Sequence, residues 1–250
     1  MPGVLLNSAL GLLRDHTVAV HSNDTLTVIV PMYNEENGAR RCLASILRHD
    51  TQPDQLAVSI NGGSDDTYGV VTRILREYGY VLRASDGLAG SAHMERWLAG
   101  TGRAAVVLVV YSERTAKSES INNLFDWRLV SGDRVLLVDG DTILHPGFVR
   151  ALRSNFYRLR QRKIDGRKQF VIEDYALVSG SVSSWLPDGA GPVQRLISSG
   201  RRAEYAVSTL LRKGQASQHG SGAIFGNSRL FTVVGCGFSA RRELFPMPAT

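Results

Sequence analysis

The sequence predicts an α/β protein built on a mixed, mostly parallel sheet flanked by helices. Short apolar, β-branched runs alternate with stretches whose apolar residues recur at helical spacing. That alternation implies parallel strands joined by crossover helices. Three of the runs are followed directly by polar clusters, Tyr33-Asn34-Glu35, Asn61-Gly62-Gly63-Ser64 and Asp139-Gly140-Asp141. In parallel sheets, ligands bind outside the carboxyl ends of the strands, so three loaded clusters on one edge point to a site.

The elements follow in order. The stretch from Val4 to Leu13 is moderately apolar, is preceded by no basic residue and is closed by Arg14-Asp15. It reads as an amphipathic helix rather than a signal peptide. The β-branched run from Leu26 to Val30 is a buried strand that ends at Pro31. Asn34-Glu35-Glu36-Asn37 then opens a helix with Ala39, Leu43, Ile46 and Leu47 on one face. Leu56 to Ile60 is a second strand. Asp65-Asp66-Thr67 caps a helix with Val70, Val71, Ile74 and Leu75 on its apolar face. Val81-Leu82-Arg83 is a third strand and Ala104 to Tyr111 a fourth. A helix is expected over 118–130, a strand over 134–138, and a helix from about Phe148 to Arg162 after Pro146-Gly147. Beyond residue 165 the pattern loosens, with a strand over 175–182, a helix over 194–211 and a loop over 235–244.

Composition narrows the function. Of 250 residues, 43% are hydrophobic and 21% charged, which is ordinary globular usage. A net charge of +6 and a pI near 9.6 favour anionic partners. Few aromatics interleave with the basic residues and no nucleic-acid-binding motif is present, so no nucleic-acid partner is expected. Cys42 and Cys236 sit in no metal-binding or disulfide spacing, which fits a reducing, cytoplasmic compartment. No run of about 18 apolar residues occurs, so no membrane span is expected. The segment from Arg150 to Lys168 holds eight basic residues, a candidate contact for an anionic membrane surface.

Asp139-Gly140-Asp141 carries the strongest chemistry. Two carboxylates leave a buried strand at one turn, and the glycine between them allows close approach of a ligand. Hard oxygen donors of this kind suit Mn2+ or Mg2+. A nucleoside diphosphate needs its charge neutralised as the distal bond breaks. The glycines after Asn61 let backbone approach a base or a phosphate. Lys117, ahead of a helix carrying Asn122, can reach a phosphate as a point charge.

With these residues in hand, the chain resembles the family 2 glycosyltransferases of the GT-A (Rossmann-like) fold. Val28-Ile29-Val30-Pro31-Met32-Tyr33-Asn34-Glu35-Glu36 is similar to the family's opening strand and its Pro-x-Tyr-Asn-Glu-Glu signature. Ile60-Asn61-Gly62-Gly63-Ser64-Asp65-Asp66-Thr67 follows in family order. Lys117 and Asn122 stand where the family has its Lys-Ala-x-Ala-Leu-Asn helix. Leu136 to Thr142 resembles the Asp-x-Asp strand. Gly235-Cys236-Gly237-Phe238-Ser239-Ala240-Arg241-Arg242 resembles the acceptor-side Gly-x-x-x-x-Arg-Arg segment.

The resemblance implies an inverting, metal-dependent transfer of a sugar from a nucleotide-sugar, usually UDP-linked, to a glycan or lipid-linked acceptor. Pro31, Tyr33, Asn34 and Glu35 would line the nucleotide pocket, and Asn61, Gly62 and Ser64 would meet the base. Lys117 and Asn122 would complete the donor side. Asp139 and Gly140 would face the sugar-nucleotide, and Asp141, with Asp139, the metal. Gly235, Cys236, Gly237, Arg241 and Arg242 would form the acceptor side. It also implies an organisation: an N-terminal helical extension over 1–25, then a GT-A domain over 26–250. That domain would divide into a nucleotide-binding part, about 26–145, and an acceptor-side part, about 146–250, incomplete at its C-terminus.

Two departures stand out. Gly62 occupies a position where the family usually has the aspartate that contacts uracil, and Asn61 offers both a donor and an acceptor in its place. Inversion needs a base, and the family's acidic pair after the acceptor-side arginines is expected beyond Thr250. A nucleotide-sugar-binding or assembly module without a general base is therefore the rival reading. A nucleotidyltransferase would want a Gly-rich basic loop after the first strand, where this chain has Tyr33-Asn34-Glu35-Glu36.

Overall fold

The computed structural model describes residues 18–20, 22–179, 186, 189–203 and 237–245. The elements run β1 (Val18–Val20), β2 (Leu26–Met32), α1 (Ala39–Leu47), β3 (Gln55–Asn61), α2 (Thr67–Glu77), β4 (Val81–Gly87), β5 (Ala92–Leu98), β6 (Ala105–Tyr111) and α3 (Lys117–Asp126). They continue β7 (Arg134–Leu137), α4 (Phe148–Arg153), β8 (Tyr157–Ile164), β9 (Arg167–Asp174), β10 (Leu177–Ser179) and β11 (Phe238–Arg241), with a 3-10 turn over Arg242–Leu244. Residues 192–203 are helical. The chain forms two compact units. One comprises 19–158, 173–178 and 235–250, the other 1–18, 159–172 and 179–234.

The first unit is built on an eight-stranded sheet in the order β10-β11-β7-β2-β3-β6-β5-β4. Its four central strands, β7, β2, β3 and β6, are mutually parallel. β11 and β5 join them antiparallel, and β4 pairs antiparallel with β5. All seven residues of β2 and of β3 are buried. A strand covered by helices on both faces has no solvent side, so it reads as a continuous apolar run. Leu26, Val28, Val30 and Met32 pack with Cys42, Leu43, Ile46 and Leu47 of α1 and with Val71, Ile74 and Leu75 of α2. Ile29 points the other way, to Ala57, Val107, Val109 and, from α3, Leu124 and Phe125.

β2 does not stop at Pro31 as the sequence suggests but includes it. The backbone of Ile29 faces β7, where its carbonyl accepts from the Val138 N–H at 3.0 Å. Pro31, two residues on, faces the same side, beyond the last β2–β7 pair, Ile29 with Leu137. Its missing N–H therefore costs no ladder bond.

At the opposite edge of the sheet, Arg134 is 1% exposed. It bonds Asp24 at 2.7 Å, the Asp174 carboxylate and the Tyr175 carbonyl, with its guanidinium 4.7 Å over the Phe156 ring. Asp174 thus helps to hold a buried cation.

Several expectations are corrected. The helix expected over 148–162 ends at Arg153, and the chain turns into β8 and β9. Asp165 and Gly166, both at positive φ (49° and 78°), make the two-residue turn between them. Asp-Gly is the strongest short hairpin signal, and it outweighs the helical reading of the basic run. The expected loop over 235–244 contains β11 instead of loop alone. β5 has no counterpart in the reading above, because His93, Glu95 and Arg96 break its apolar pattern. The helix over 4–13, residues 180–182, residues 204–211 and Cys236 lie outside the described residues.

Candidate functional site

The four parallel strands finish on one edge, where Met32 is level with Ile60 and Asn61 with Tyr111. There a pocket of about 260 Å³ is lined by Pro31, Met32, Tyr33, Glu35, Asn61, Lys117, Asp139, Gly140 and Asp141. Eight of these nine were expected from sequence. Met32 was not, since nothing separates it from any other apolar strand residue.

The loops around the pocket are fixed by side chains rather than by regular structure. The Asn34 amide oxygen accepts the Ser64 N–H at 3.0 Å, with Asn34 held at a φ of 52°. Asp65 accepts the Glu36 N–H at 2.9 Å and the Thr67 hydroxyl at 2.6 Å. The Thr67 hydroxyl in turn accepts the Glu35 N–H at 2.8 Å. Burial alone would raise the Asp65 carboxyl, but the donors from Thr67 and Glu36 outweigh it and hold its pKa below the ordinary carboxylate range. Asn34 and Ser64 therefore act on the loops beside the pocket instead of lining it.

Gly62 sits at a φ of 53°, and a Cβ there would lie 2.4 Å from the Glu113 carbonyl carbon. The β3 and β6 ends meet backbone to backbone at this point, so only glycine fits. Asn61 is buried and its side-chain Oδ1 accepts from the Ser59 hydroxyl at 2.9 Å, leaving its side-chain N–H groups for the pocket.

Three carboxylates gather here. A Cβ on Gly140 would stand 3.0 Å from Cγ of Glu35, and one on Gly38 would stand 2.7 Å from its Oε2 and 3.3 Å from the Asp141 Cα. Burial, then the nearby charges of Asp141, Asp65 and Asp139, raise the Glu35 pKa, and Lys117 opposes them. Lys117 is ion-paired with Asp139. Beneath the turn, the buried Cys42 thiol donates to the Asp139 carbonyl at 3.5 Å. Burial raises that thiol's pKa, followed by the charge of Asp141, so Cys42 stays a neutral packing group.

Among the described residues, no three His, Cys, Asp or Glu side chains enclose a metal by themselves. Asp139, Asp141 and Glu35 all line the pocket and bring hard oxygens to it. That donor set fits a hard divalent cation whose remaining positions are filled by phosphate oxygens and water.

Arg114, three residues past the end of β6, lies 4.7 Å over the exposed Tyr33 ring. It was missed in sequence, although Ser112-Glu113-Arg114, the polar run after an apolar strand, was a fourth strand-end signal. Asn122 is exposed on α3 and does not line the pocket. Its neighbour Asn123 donates to the Tyr111 hydroxyl at 3.1 Å.

The acceptor-side residues divide. Gly235 and Cys236 lie outside the described residues. Gly237, at a φ of 74°, donates to the Leu137 carbonyl at 2.8 Å, near the pocket edge. Arg241 and Arg242 are carried away from it. β11 runs antiparallel to β7, so Arg241 pairs with Arg134 at the far end of the strand, roughly 10 Å along from the Phe238–Leu137 pair at about 3.3 Å per residue. There Arg241 meets Glu243 at 3.0 Å and Asp174 at 3.4 Å, and Arg242 donates to the Val130 carbonyl at 3.4 Å.

The model of glycosyltransferase like family 2 matches residues 23–231. The chain belongs to this family. The curated glycosyltransferase GlyA of Streptococcus pneumoniae serotype 4 is 28% identical over 130 residues, which is 52% of this chain and 15% of GlyA. Among solved structures, the mannosyltransferase PcManGT from Pyrobaculum calidifontis, in complex with GDP-Man and Mn2+, superposes with a TM-score of 0.56 at 17% identity. The match covers 97% of this chain and 53% of that one. The chain thus spans 15% and about half of the lengths of these two proteins. The superposition shows the GT-A fold: this family 2 domain has its mixed sheet, parallel at the centre and flanked by helices.

Proposed function

We propose that this domain binds a nucleotide-sugar, UDP-linked, together with Mn2+ or Mg2+, and transfers the sugar with inversion to a glycan or lipid-linked acceptor. The observation that carries this is the meeting of Asp139, Asp141, Glu35 and Lys117 in one pocket at the ends of four parallel strands. A glycosyl donor presents a flat base, two phosphates and a departing diphosphate, and the pocket has a group suited to each.

Asn61 and the surrounding backbone take the base, and Tyr33 with Arg114 supplies a planar surface beside it. Asp141, with Asp139, would hold the cation. When bound, the cation neutralises the charge that grows on the departing diphosphate. Lys117 adds a second positive charge to the same oxygens once it leaves Asp139. Asp139 then faces the sugar. Residues 26–145 form the nucleotide-binding part and 146–250 the acceptor-side part of this reading. No helix among the described residues is long and apolar enough to cross a membrane. A lipid-linked acceptor would be met at the cytoplasmic face of a membrane, with basic residues of the 150–168 stretch toward it.

Titration calorimetry with UDP-sugars tests the reading. Micromolar binding that needs Mn2+ or Mg2+, and that Asp141→Ala abolishes, is expected. Absence of binding, together with indifference to Asp141→Ala, would sink it.

A further inference from the structure

The second compact unit carries a surface that the donor pocket does not explain. Its 159–172 segment holds five basic residues, Arg160, Arg162, Lys163, Arg167 and Lys168, against the single acidic Asp165. Every residue from 161 to 170 is exposed, so the end of the β8–β9 hairpin stands in solvent on both faces. The two-residue turn sets Ile164 opposite Arg167, and hence Lys163 opposite Lys168 and Gln161 opposite Phe170. One face therefore runs from paired lysines near the tip to Phe170 and Ile172. Those two side chains are 70% and 59% exposed.

The helix over 192–203 of the same unit repeats this chemistry in another geometry. Val193, Leu196 and Ile197 follow an i, i+3, i+4 spacing on one face and are 69%, 74% and 55% exposed. Arg195, Arg201 and Arg202 are its charged residues, with no acid among 192–203. Single exposed apolar residues are ordinary. Five large ones in two segments, 159–172 and 192–203, whose charged residues are all basic but for Asp165 form a pattern that water does not favour and an anionic bilayer does. Lipid phosphates meet the basic side chains, and the acyl boundary takes Phe170, Ile172, Leu196 and Ile197. Arg150, Arg153 and Arg158, the other basic residues of the stretch singled out in sequence, belong instead to the first unit, where Arg150 and Arg153 are paired with Asp50 at 3.4 Å and Asp54 at 2.6 Å and Arg158 donates to the Asn155 side chain.

We propose that the β8–β9 hairpin and the 192–203 helix dock this chain on an anionic lipid surface, the basic residues holding the headgroups while the exposed apolar side chains enter the interface. This names the device behind the membrane contact raised above, yet it stands apart from the donor pocket, because lipid and nucleotide binding are read separately on the same protein.

Flotation of the full chain with vesicles of phosphatidylcholine, with and without about one-third phosphatidylglycerol, tests it. Partition onto the anionic vesicles is expected to exceed that onto neutral ones at least about tenfold and to weaken with salt. Replacing Arg162, Lys163, Arg167 and Lys168 by Gln should cost about fivefold per charge. Phe170→Ser with Ile172→Ser, and separately Leu196→Ser with Ile197→Ser, should each lower partition about tenfold or more with every charge retained. All these positions are exposed, so circular dichroism and UDP affinity should be unchanged. Equal partition onto neutral vesicles, or full partition by both serine variants, overturns the proposal. So does soluble polyphosphate that competes as tightly as the vesicles bind, since this would mark a site for a polyanion rather than a membrane. Loss of UDP binding in the parent chain would refute the donor reading and leave this one standing.

Discussion

The contact at Gly62 can be measured against an internal control. Gly62 and Gly79 both have positive φ, 53° and 80°, but a Cβ on Gly79 would meet nothing within 4 Å, whereas one on Gly62 would overlap Glu113 and Arg114 backbone at 2.4–2.8 Å. Gly79→Ala should therefore cost only the left-handed backbone penalty, about 1–2 kcal/mol. Gly62→Ala carries the same penalty plus the displacement of a backbone segment between β6 and α3. Overpacking of that kind adds about 1–3 kcal/mol, giving roughly 2–5 kcal/mol in all. For a domain of this size each kcal/mol lowers Tm by about 2–4 °C. Thermal and urea denaturation of the two variants should thus separate them by at least about 1 kcal/mol, or roughly 2–4 °C. Because Lys117 follows the displaced segment closely, UDP affinity should fall in Gly62→Ala and not in Gly79→Ala. Equal destabilisation of the two variants would refute the close approach of the β3 and β6 ends.

Three further outcomes are expected. Glu35 has a raised pKa, so its carboxylate burdens the folded state as pH climbs through that raised value; Glu35→Gln should unfold at higher urea than the parent near pH 7.5 without metal, and the gap should close near pH 4, where Glu35 is protonated in both states. Arg134→Leu leaves Asp24 without its cation and Asp174 with Arg241 alone at 3.4 Å; since those side chains are 22% and 33% exposed, the loss should sit at the low end for a broken buried pair, about 3 kcal/mol by denaturation, with UDP affinity unaffected in the fraction that folds. Lys117→Met removes an ion pair whose side chains are 57% and 34% exposed, so stability should change by less than about 1 kcal/mol. UDP affinity should nevertheless drop about tenfold or more by calorimetry, the worth of a charge-assisted bond to phosphate.

Burial on both faces made the central sheet legible. Leu26–Met32 and Ala105–Tyr111 are nearly all apolar, and Gln55–Asn61 keeps Leu56, Ala57, Val58 and Ile60 among its polar residues, because helices cover both sides; polar clusters marked the ends of Leu26–Met32 and Gln55–Asn61. The flanking strands were harder. β5 alternates polar and apolar residues and carries Glu95, whose buried carboxylate is bonded by Tyr68 and Trp97 at 2.7 and 2.9 Å, a tertiary arrangement with no local signature. β11 draws its pairing from β7, a hundred residues away. The β8–β9 hairpin was obscured for another reason: its arginines and lysines suit an exposed helix as well as an exposed strand, and only Asp165-Gly166 decided between them. At the site, residues with chemistry at strand ends were found, whereas Met32 and Arg114 depended on geometry. The Gly-x-x-x-x-Arg-Arg segment shows the limit of motif spacing. Its order along the chain is as expected, but antiparallel register sends the two arginines to the opposite edge.

The arrangement of charge around Asp139 ties these observations together. Apolar packing, not electrostatics, decides where the strands end, and so it brings Glu35, Asp139 and Asp141 together in spite of their repulsion. The raised Glu35 pKa records its burial first and that repulsion second. Lys117 relieves part of it by pairing with Asp139, but its half-exposed position makes the pairing weak. On the reading proposed above, a ligand that brings two phosphates and a divalent cation would replace this arrangement: the phosphates would draw off Lys117, and the cation would take the oxygens so released. Each component would then remove an obstacle to the other, so their affinities should rise by the same factor in either order of addition. Lys117→Met discriminates between two origins of this coupling. Loss of its positive charge should raise cation affinity without nucleotide in either case, but coupling is lost if Lys117 is the obstacle and persists if carboxylate repulsion dominates.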